Sequence, residues 1–241
     1  MVTYNRLPLT QRMLESFLKT TTSLYRLIIV DNNSTDGTVE WLKELKIDGP
    51  NCQGLDLYYN DKNKGFASGL NRGMKIADKY KDPYLCTMDN DIELPTDWLK
   101  KCTDVMDANP NYVIGVNFEE VTYPAVTINK QSFQFKPKGN LGCACMAFPR
   151  ALHDKIGYFT TEYQLYGEED ANWGFRARLA GFNLGYLPEA GVHFGSGELD
   201  SGEYRAFKDE CRKKNLPQFQ KDCHDYANRK KSIFHPFSEK S

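Results

Sequence analysis

Leu85-Cys86-Thr87-Met88-Asp89-Asn90-Asp91 is an apolar run that ends abruptly in two carboxylates one residue apart. The run reads as a buried strand, and open α/β sheets bind ligands at the carboxyl ends of their strands. Carboxylates this close repel each other unless a cation lies between them. A hard divalent ion with oxygen ligands, Mn²⁺ or Mg²⁺, relieves that repulsion and keeps coordination positions open for a diphosphate. D-x-D is also common in surface turns, so its meaning depends on its surroundings.

Upstream of it, strands and helices alternate. Leu9 to Lys19 carries Leu9, Met13, Phe17 and Leu18 at helical spacing. Leu27-Ile28-Ile29-Val30 is a continuous run of the kind found in a parallel strand covered on both faces. Asp31-Asn32-Asn33-Ser34-Thr35-Asp36-Gly37 is a turn and cap cluster, and Thr38 to Lys46 resumes helical period. Leu55 to Tyr59 alternates as a strand, Phe66 to Tyr80 reads as a helix, and Trp98 to Ala108 as another. This order predicts an α/β fold with a doubly wound, mostly parallel sheet.

The second half is less regular. Tyr112 to Val116, Leu141 to Phe148 and Leu184 to Leu187 read as strands, and Glu169 to Ala180 as a helix. Residues 117–140 show no clear period. Cys143 and Cys145, two apart in the predicted strand, are expected to share a face and to pack as small hydrophobes. Residues 1–202 are expected to form the main domain and 203–241 a basic C-terminal helical extension. Residues 203–231 hold nine Lys and Arg against five Asp and Glu, including Arg-Lys-Lys at 212–214 and 229–231. Such a stretch serves either as a surface for an anionic acceptor or acidic membrane, or as a solvated helix packing Phe207, Leu216 and Phe219 on the main domain. The second reading is the expectation.

With 241 residues, 40% of them hydrophobic, the chain can bury a core without disulfide staples. Its net charge of −1 argues against a general nucleic-acid binder. An odd count of seven cysteines without a C-x₂-C pair points to a reduced, cytoplasmic protein. No signal peptide is visible and no apolar run approaches the length of a membrane span.

Further motifs lie in the same order as the strands. They are Thr3-Tyr4-Asn5-Arg6, the Val30–Gly37 segment, Asn63-Lys64-Gly65-Phe66 with Asn71 and Gly73, Gly142 to Arg150, Gly167-Glu168-Glu169-Asp170 with Arg176, and His193. Gly65 lets backbone approach a ligand closely. An acidic cluster at a helix start is also explained by the helix dipole alone. A lone His is more often packed or solvated than a ligand, but the place of His193 after the Leu184–Leu187 strand favours the ligand reading.

In series, these motifs resemble the nucleotide-sugar-dependent glycosyltransferases of family 2, which have the GT-A fold, a Rossmann-like α/β architecture. The resemblance spans residues 2–195 or so. It implies a metal-dependent, inverting transfer of a sugar from a nucleotide diphosphate sugar, UDP- or dTDP-linked, to an acceptor hydroxyl. It places Thr3, Asn5, Arg6, Asp31, Asn63, Gly65 and Asp89 around the nucleotide. It makes Asp89, Asp91 and His193 the ligands of Mn²⁺ or Mg²⁺. Asp170 becomes the general base, with Glu169 beside it; Arg176 faces the acceptor, and Trp173 either stacks on a sugar face there or equally packs in the core. The acceptor itself stays open among saccharide, lipid-linked glycan, protein and modified base. Two departures stand out: few apolar residues precede Thr3, and Asn172 replaces a second acid. The rival readings are a retaining transferase on the same fold and a catalytically silent sugar-nucleotide-binding module.

Overall fold

The structure, a computed structural model, describes residues 1–119, 121–163, 165–194 and 202–238, without the side chain of Tyr204. The chain begins with β1 (Val2–Thr3), α1 (Leu7–Thr20), β2 (Tyr25–Asp31), α2 (Thr38–Glu44), β3 (Cys52–Tyr59) and α3 (Phe66–Ala77). It continues through β4 (Tyr84–Met88), β5 (Ile92–Glu93), α4 (Trp98–Ala108), β6 (Tyr112–Asn117), β7 (Ala125–Ile128) and β8 (Gln131–Lys136). Then follow β9 (Cys145–Pro149), α5 (Arg150–Ile156), α6 (Glu169–Leu179), β10 (Asn183–Ala190), β11 (Val192–His193) and α7 (Gly202–Ala227). Among the described residues no helix is long and apolar enough to cross a membrane.

β1, β2 and β3 form a parallel sheet in that order. A second sheet has the order β4-β9-β6-β10-β8-β7. Within it β4, β6, β10 and β7 run one way, and β9 and β8 are inserted against them. The mostly parallel α/β reading therefore holds for strand direction, although most neighbours in this sheet pair antiparallel. Helix α3 packs on β1, β2 and β4 and so ties the two sheets together.

Alternation along the strands sorts the core into two layers. Ile29, Met88, Ile114, Val116, Cys145 and Ala147 join one cluster with Met13, Phe17, Trp98 and Met106 of α1 and α4. Val2, Leu85, Val113, Met146, Phe148 and Leu184 join the other with Leu70, Met74, Leu152 and Ala177 of α3, α5 and α6. Cys143 and Cys145 fall in different clusters, contrary to expectation. β9 begins only at Cys145, so the alternation rule does not extend back to Cys143.

Residues 117–140, which lacked a period, contain the β7–β8 hairpin. Its turn is Asn129-Lys130, with φ of 50° and 67°. Two left-handed residues in a two-residue loop match the twist of the flanking strands. The pairs are short and cover only one side, so no long alternation marks them in the sequence.

The C-terminal helix is seated differently from the expectation. Phe207 and Leu216 remain 39% and 43% exposed. Cys211, Asn215, Asp222 and Tyr226, at helical spacing, are buried instead. Asp222 accepts from Tyr163 Oη at 2.9 Å and pairs with Lys231 at 3.1 Å. Asn172 of α6 donates to the hydroxyls of Tyr163 (2.8 Å) and Tyr226 (3.2 Å). A polar seam thus joins α6 to α7, and an amide at position 172 supplies the N–H donors that a carboxylate lacks.

Two acceptor assignments are corrected by burial. Trp173 is 1% exposed, between Phe148 (ring centroids 4.9 Å) and Phe159 (5.6 Å, stacked). It cannot present a face to a sugar. Arg176 is fully buried and donates to the carbonyls of Ile156 (2.7 Å), Tyr158 (2.8 Å) and Ile233 (3.1 Å) and to Asn172 Oδ1 (2.8 Å). The helical stripe that carries 173 and 176 points inward, which motif spacing alone does not reveal. Trp173→Ala is therefore expected to lower unfolding stability by about 3–5 kcal/mol in urea titration. An acceptor-stacking Trp would instead leave stability near wild type.

Candidate active site

The sheet delivers its acids to one cleft. Asp89 and Asp91 follow β4, and backbone bonds fix both. Asp89 N–H donates to Ala144 O at 2.8 Å, and Phe194 N–H donates to Asp91 O at 2.8 Å. The second bond belongs to the β5–β11 pairing, which sets His193 opposite Ile92. His193 Nε2 lies 3.5 Å from Asp91 Oδ1. The middle residue, Asn90, donates to Thr10 Oγ1 (2.9 Å) and Thr3 Oγ1 (3.2 Å). Thr3 is 1% exposed, so in this arrangement it braces the Asp-Asn-Asp turn.

The ligand-bearing atoms of Asp89, Asp91 and His193 lie within 4.8 Å of one another. Asp89 Oδ1 and His193 Nδ1 are buried without a hydrogen-bond partner among the described residues. Buried polar atoms of native proteins are rarely left unpaired, and two carboxylates with an imidazole suit a divalent cation. The donor set therefore fits Mn²⁺ or Mg²⁺. Arg6 donates to Asp91 Oδ2 at 2.9 Å and holds part of the same charge.

The acids of the α6 loop enter the same cleft, of about 530 Å³, lined by Arg6, Asn63, Gly65, Asp89, Asp91, Glu169, Asp170 and His193. Gly167 and Glu168 have φ of 96° and 73°, a left-handed pair that turns the chain into the helix. Asn215 of α7 clamps this turn, donating to the carbonyls of Tyr166 and Gly167 at 3.0 Å each. Asp170 accepts from Asn140 Nδ2 (2.8 Å) and Ala171 N–H (2.7 Å). Glu169 also borders a smaller hollow next to the cleft, with Asn63, Phe66, Thr160 and Tyr163.

Crowding and burial set the titration of these groups. Burial, then Asp91, pushes Asp89 up to about 7. Burial, then Asp170, pushes Glu169 up to about 8. Asp170 is also raised by burial, opposed by Ala171 N–H and the Arg212 charge. All three prefer to hold a proton more than a free carboxylic acid does.

The remaining nucleotide residues are placed as follows. Asn63 Oδ1 accepts from Gly65 N–H at 2.9 Å. Gly65 has φ of 83°, and a Cβ there would meet Leu165 at 3.2 Å. Asn5 lies off the cleft: its N–H donates to Ser34 Oγ (2.7 Å) and its Oδ1 accepts from Thr35 N–H (2.8 Å). Asp31 has no exposed surface, and both its oxygens accept from Ser34. The cleft also takes Tyr4, 46% exposed, and Phe207 and Lys208 of α7. The Thr3–Arg6 motif includes Tyr4 but gives no sign of its exposure; Phe207 is expected against the main domain, and nothing in the sequence of α7 shows that it and Lys208 reach the strand ends.

An α/β sheet with acidic strand ends facing an acidic helix start is a GT-A arrangement. The sequence model of Glycosyl transferase family 2 matches residues 1–180, and the chain belongs to that family. It is 27% identical over 194 residues to the uncharacterized glycosyltransferase YwdF of Bacillus subtilis, covering 74% of this chain and 66% of that one. The mannosyltransferase PcManGT of Pyrobaculum calidifontis, solved with GDP-Man and Mn²⁺, superposes with a TM-score of 0.65 at 18% identity. That match covers 95% of this chain and 62% of the other. GalNAc-T7, solved with UDP, GalNAc and Mn²⁺, gives 0.60 at 14% identity, over 92% and 53%. The chain thus spans about half to two thirds of the length of these relatives.

The raised Glu169 gives a pH test. Its folded value lies above the unfolded 4.5, so between about 4.5 and 8 the native state binds more protons than the unfolded one. Stability therefore falls as pH rises through that window. In EDTA, Glu169→Gln should flatten the decline of melting temperature between pH 5 and 8. An unchanged slope would show that Glu169 is not the group responsible.

Proposed function

We propose that this protein is a divalent-metal-dependent, inverting glycosyltransferase that moves a sugar from a nucleoside diphosphate sugar to an acceptor hydroxyl. The observation that carries the proposal is the meeting of the Asp89–Asp91–His193 cluster and Asp170 in one cleft. Held by that cluster, Mn²⁺ or Mg²⁺ would offset the charge of the diphosphate leaving group. Asn63 and Gly65 line the cleft on the donor side, and the exposed Tyr4 offers a ring for the base to stack on. Asp170 takes the proton from the acceptor hydroxyl, which attacks the anomeric carbon from the face opposite the nucleotide. Its raised proton affinity suits that role, since a base works best with a pKa near the working pH. Asn140 and Ala171 N–H hold the carboxylate in one orientation. Glu169 shapes the acceptor side and opens toward the adjoining hollow. Positioning and charge account for the rate, with no covalent intermediate.

Asp31, which the family resemblance places around the nucleotide, has both oxygens on Ser34 in this arrangement.

Two variants test the reading. Donor turnover should collapse in EDTA and return with Mn²⁺ or Mg²⁺, and Asp91→Ala should abolish that return. Asp170→Asn should slow transfer by about 10²–10⁴-fold while nucleoside diphosphate affinity stays near wild type. Full activity in chelator removes the metal; near-normal transfer by folded Asp170→Asn removes the base.

A further inference from the structure

We propose that Lys208 of α7 is the protein's own cationic contact for the donor diphosphate. The assignment rests on the transfer reading above and adds to it a residue outside the segment matched by the family, which ends at 180.

The argument starts from charge. Asp89, Asp91, Glu169 and Asp170 all line the cleft. A divalent cation among Asp89, Asp91 and His193 offsets the charge of that carboxylate pair, and Arg6 is already engaged with Asp91. A diphosphate brings at least two more negative charges into the same partly buried space. Like charges at such range are costly without a further cation. Among the described lining residues Lys208 carries the ammonium. It lines the same cleft as Asp89, Asp91 and His193, where a diphosphate would meet the metal ligands.

Position supports the chemistry. Lys208 is half-buried, with Nζ 5.1 Å from the Tyr166 ring centre. Arg212, one turn later, lies 5.4 Å from the same ring. Asn215 lies seven residues beyond Lys208, two turns along the same helical stripe. Its two bonds to Tyr166 and Gly167 anchor α7 to the loop that presents Glu169 and Asp170. The helix is therefore fixed where Lys208 enters the cleft. A Cβ at Gly167 would come within 2.6 Å of Arg212 Cγ, so the loop is glycine where the helix crosses it. A lysine suits the role because its compact charge on a flexible stem follows phosphate oxygens as the bond to the sugar breaks.

The test is calorimetric titration of UDP and GDP, each with its monophosphate, in Mn²⁺. Wild type, Lys208→Ala and Lys208→Arg are compared, with Lys208→Gln as substitute if the alanine variant does not fold. For the base that wild type binds, loss of the ammonium should weaken the diphosphate by about tenfold or more. The monophosphate should change by much less, and Lys208→Arg should recover most of the loss. Equal weakening of both nucleotides, or of neither, overturns the assignment. So does a raised acceptor KM with unchanged diphosphate affinity, which would move Lys208 to the acceptor. A wild type that binds no nucleoside diphosphate sinks the transfer reading, and this assignment with it; the variant comparison separates the two failures.

Discussion

Repulsion among carboxylates is the constraint around which this protein is organised. Asp89 and Asp91 leave one strand; Glu169 and Asp170 begin one helix; all four face a single cleft. Clustered, half-dehydrated acids cost stability unless protonated or countered by cations. The chain holds them in place with backbone bonds from Ala144, Phe194 and Ala171 and with amides from Asn140 and Asn215. Arg6 supplies a fixed positive charge at one side and α7 supplies others. A site built this way gains most from ligands that bring a divalent cation with an anion.

The parts that support the cleft are largely polar. Arg176 gathers three carbonyls from two separate segments, 156–158 and 233, and Asn172 links it to the hydroxyls of Tyr163 and Tyr226. Every partner in that network depends on the others, because a buried donor or acceptor left alone is expensive. The network lies one helical turn beyond the acids. It therefore fixes the pitch and rotation of α6, and with them the direction of Asp170. The replacement of an acid by Asn172 belongs to this support, since only an amide both donates to the tyrosines and accepts from Arg176.

The apolar cavity of about 420 Å³ beside β1, lined by Met1, Val2, Leu27, Tyr84, Leu85 and Trp98, contrasts with the acidic cleft. It contains none of the clustered acids. Apolarity alone would thus misplace the site; convergence of charged groups from separate elements locates it.

The sequence by itself determined the α/β class, the order of the first four strands and the acids at their ends. These are local properties: an apolar run and its final carboxylate show in a dozen residues. Tertiary structure decided the rest. It turned Trp173 and Arg176 inward, because motif spacing does not say which stripe of a helix meets the core. It made Thr3 and Asn5 braces for neighbouring turns, through bonds across 87 and 29–30 residues of sequence. It seated α7 by Cys211, Asn215, Asp222 and Tyr226, a stripe with little hydrophobic contrast and hence no amphipathic signature. It brought Lys208 and His193 to the ends of strands more than a hundred residues earlier. Contacts of that separation follow from how layers pack, and no local pattern encodes them.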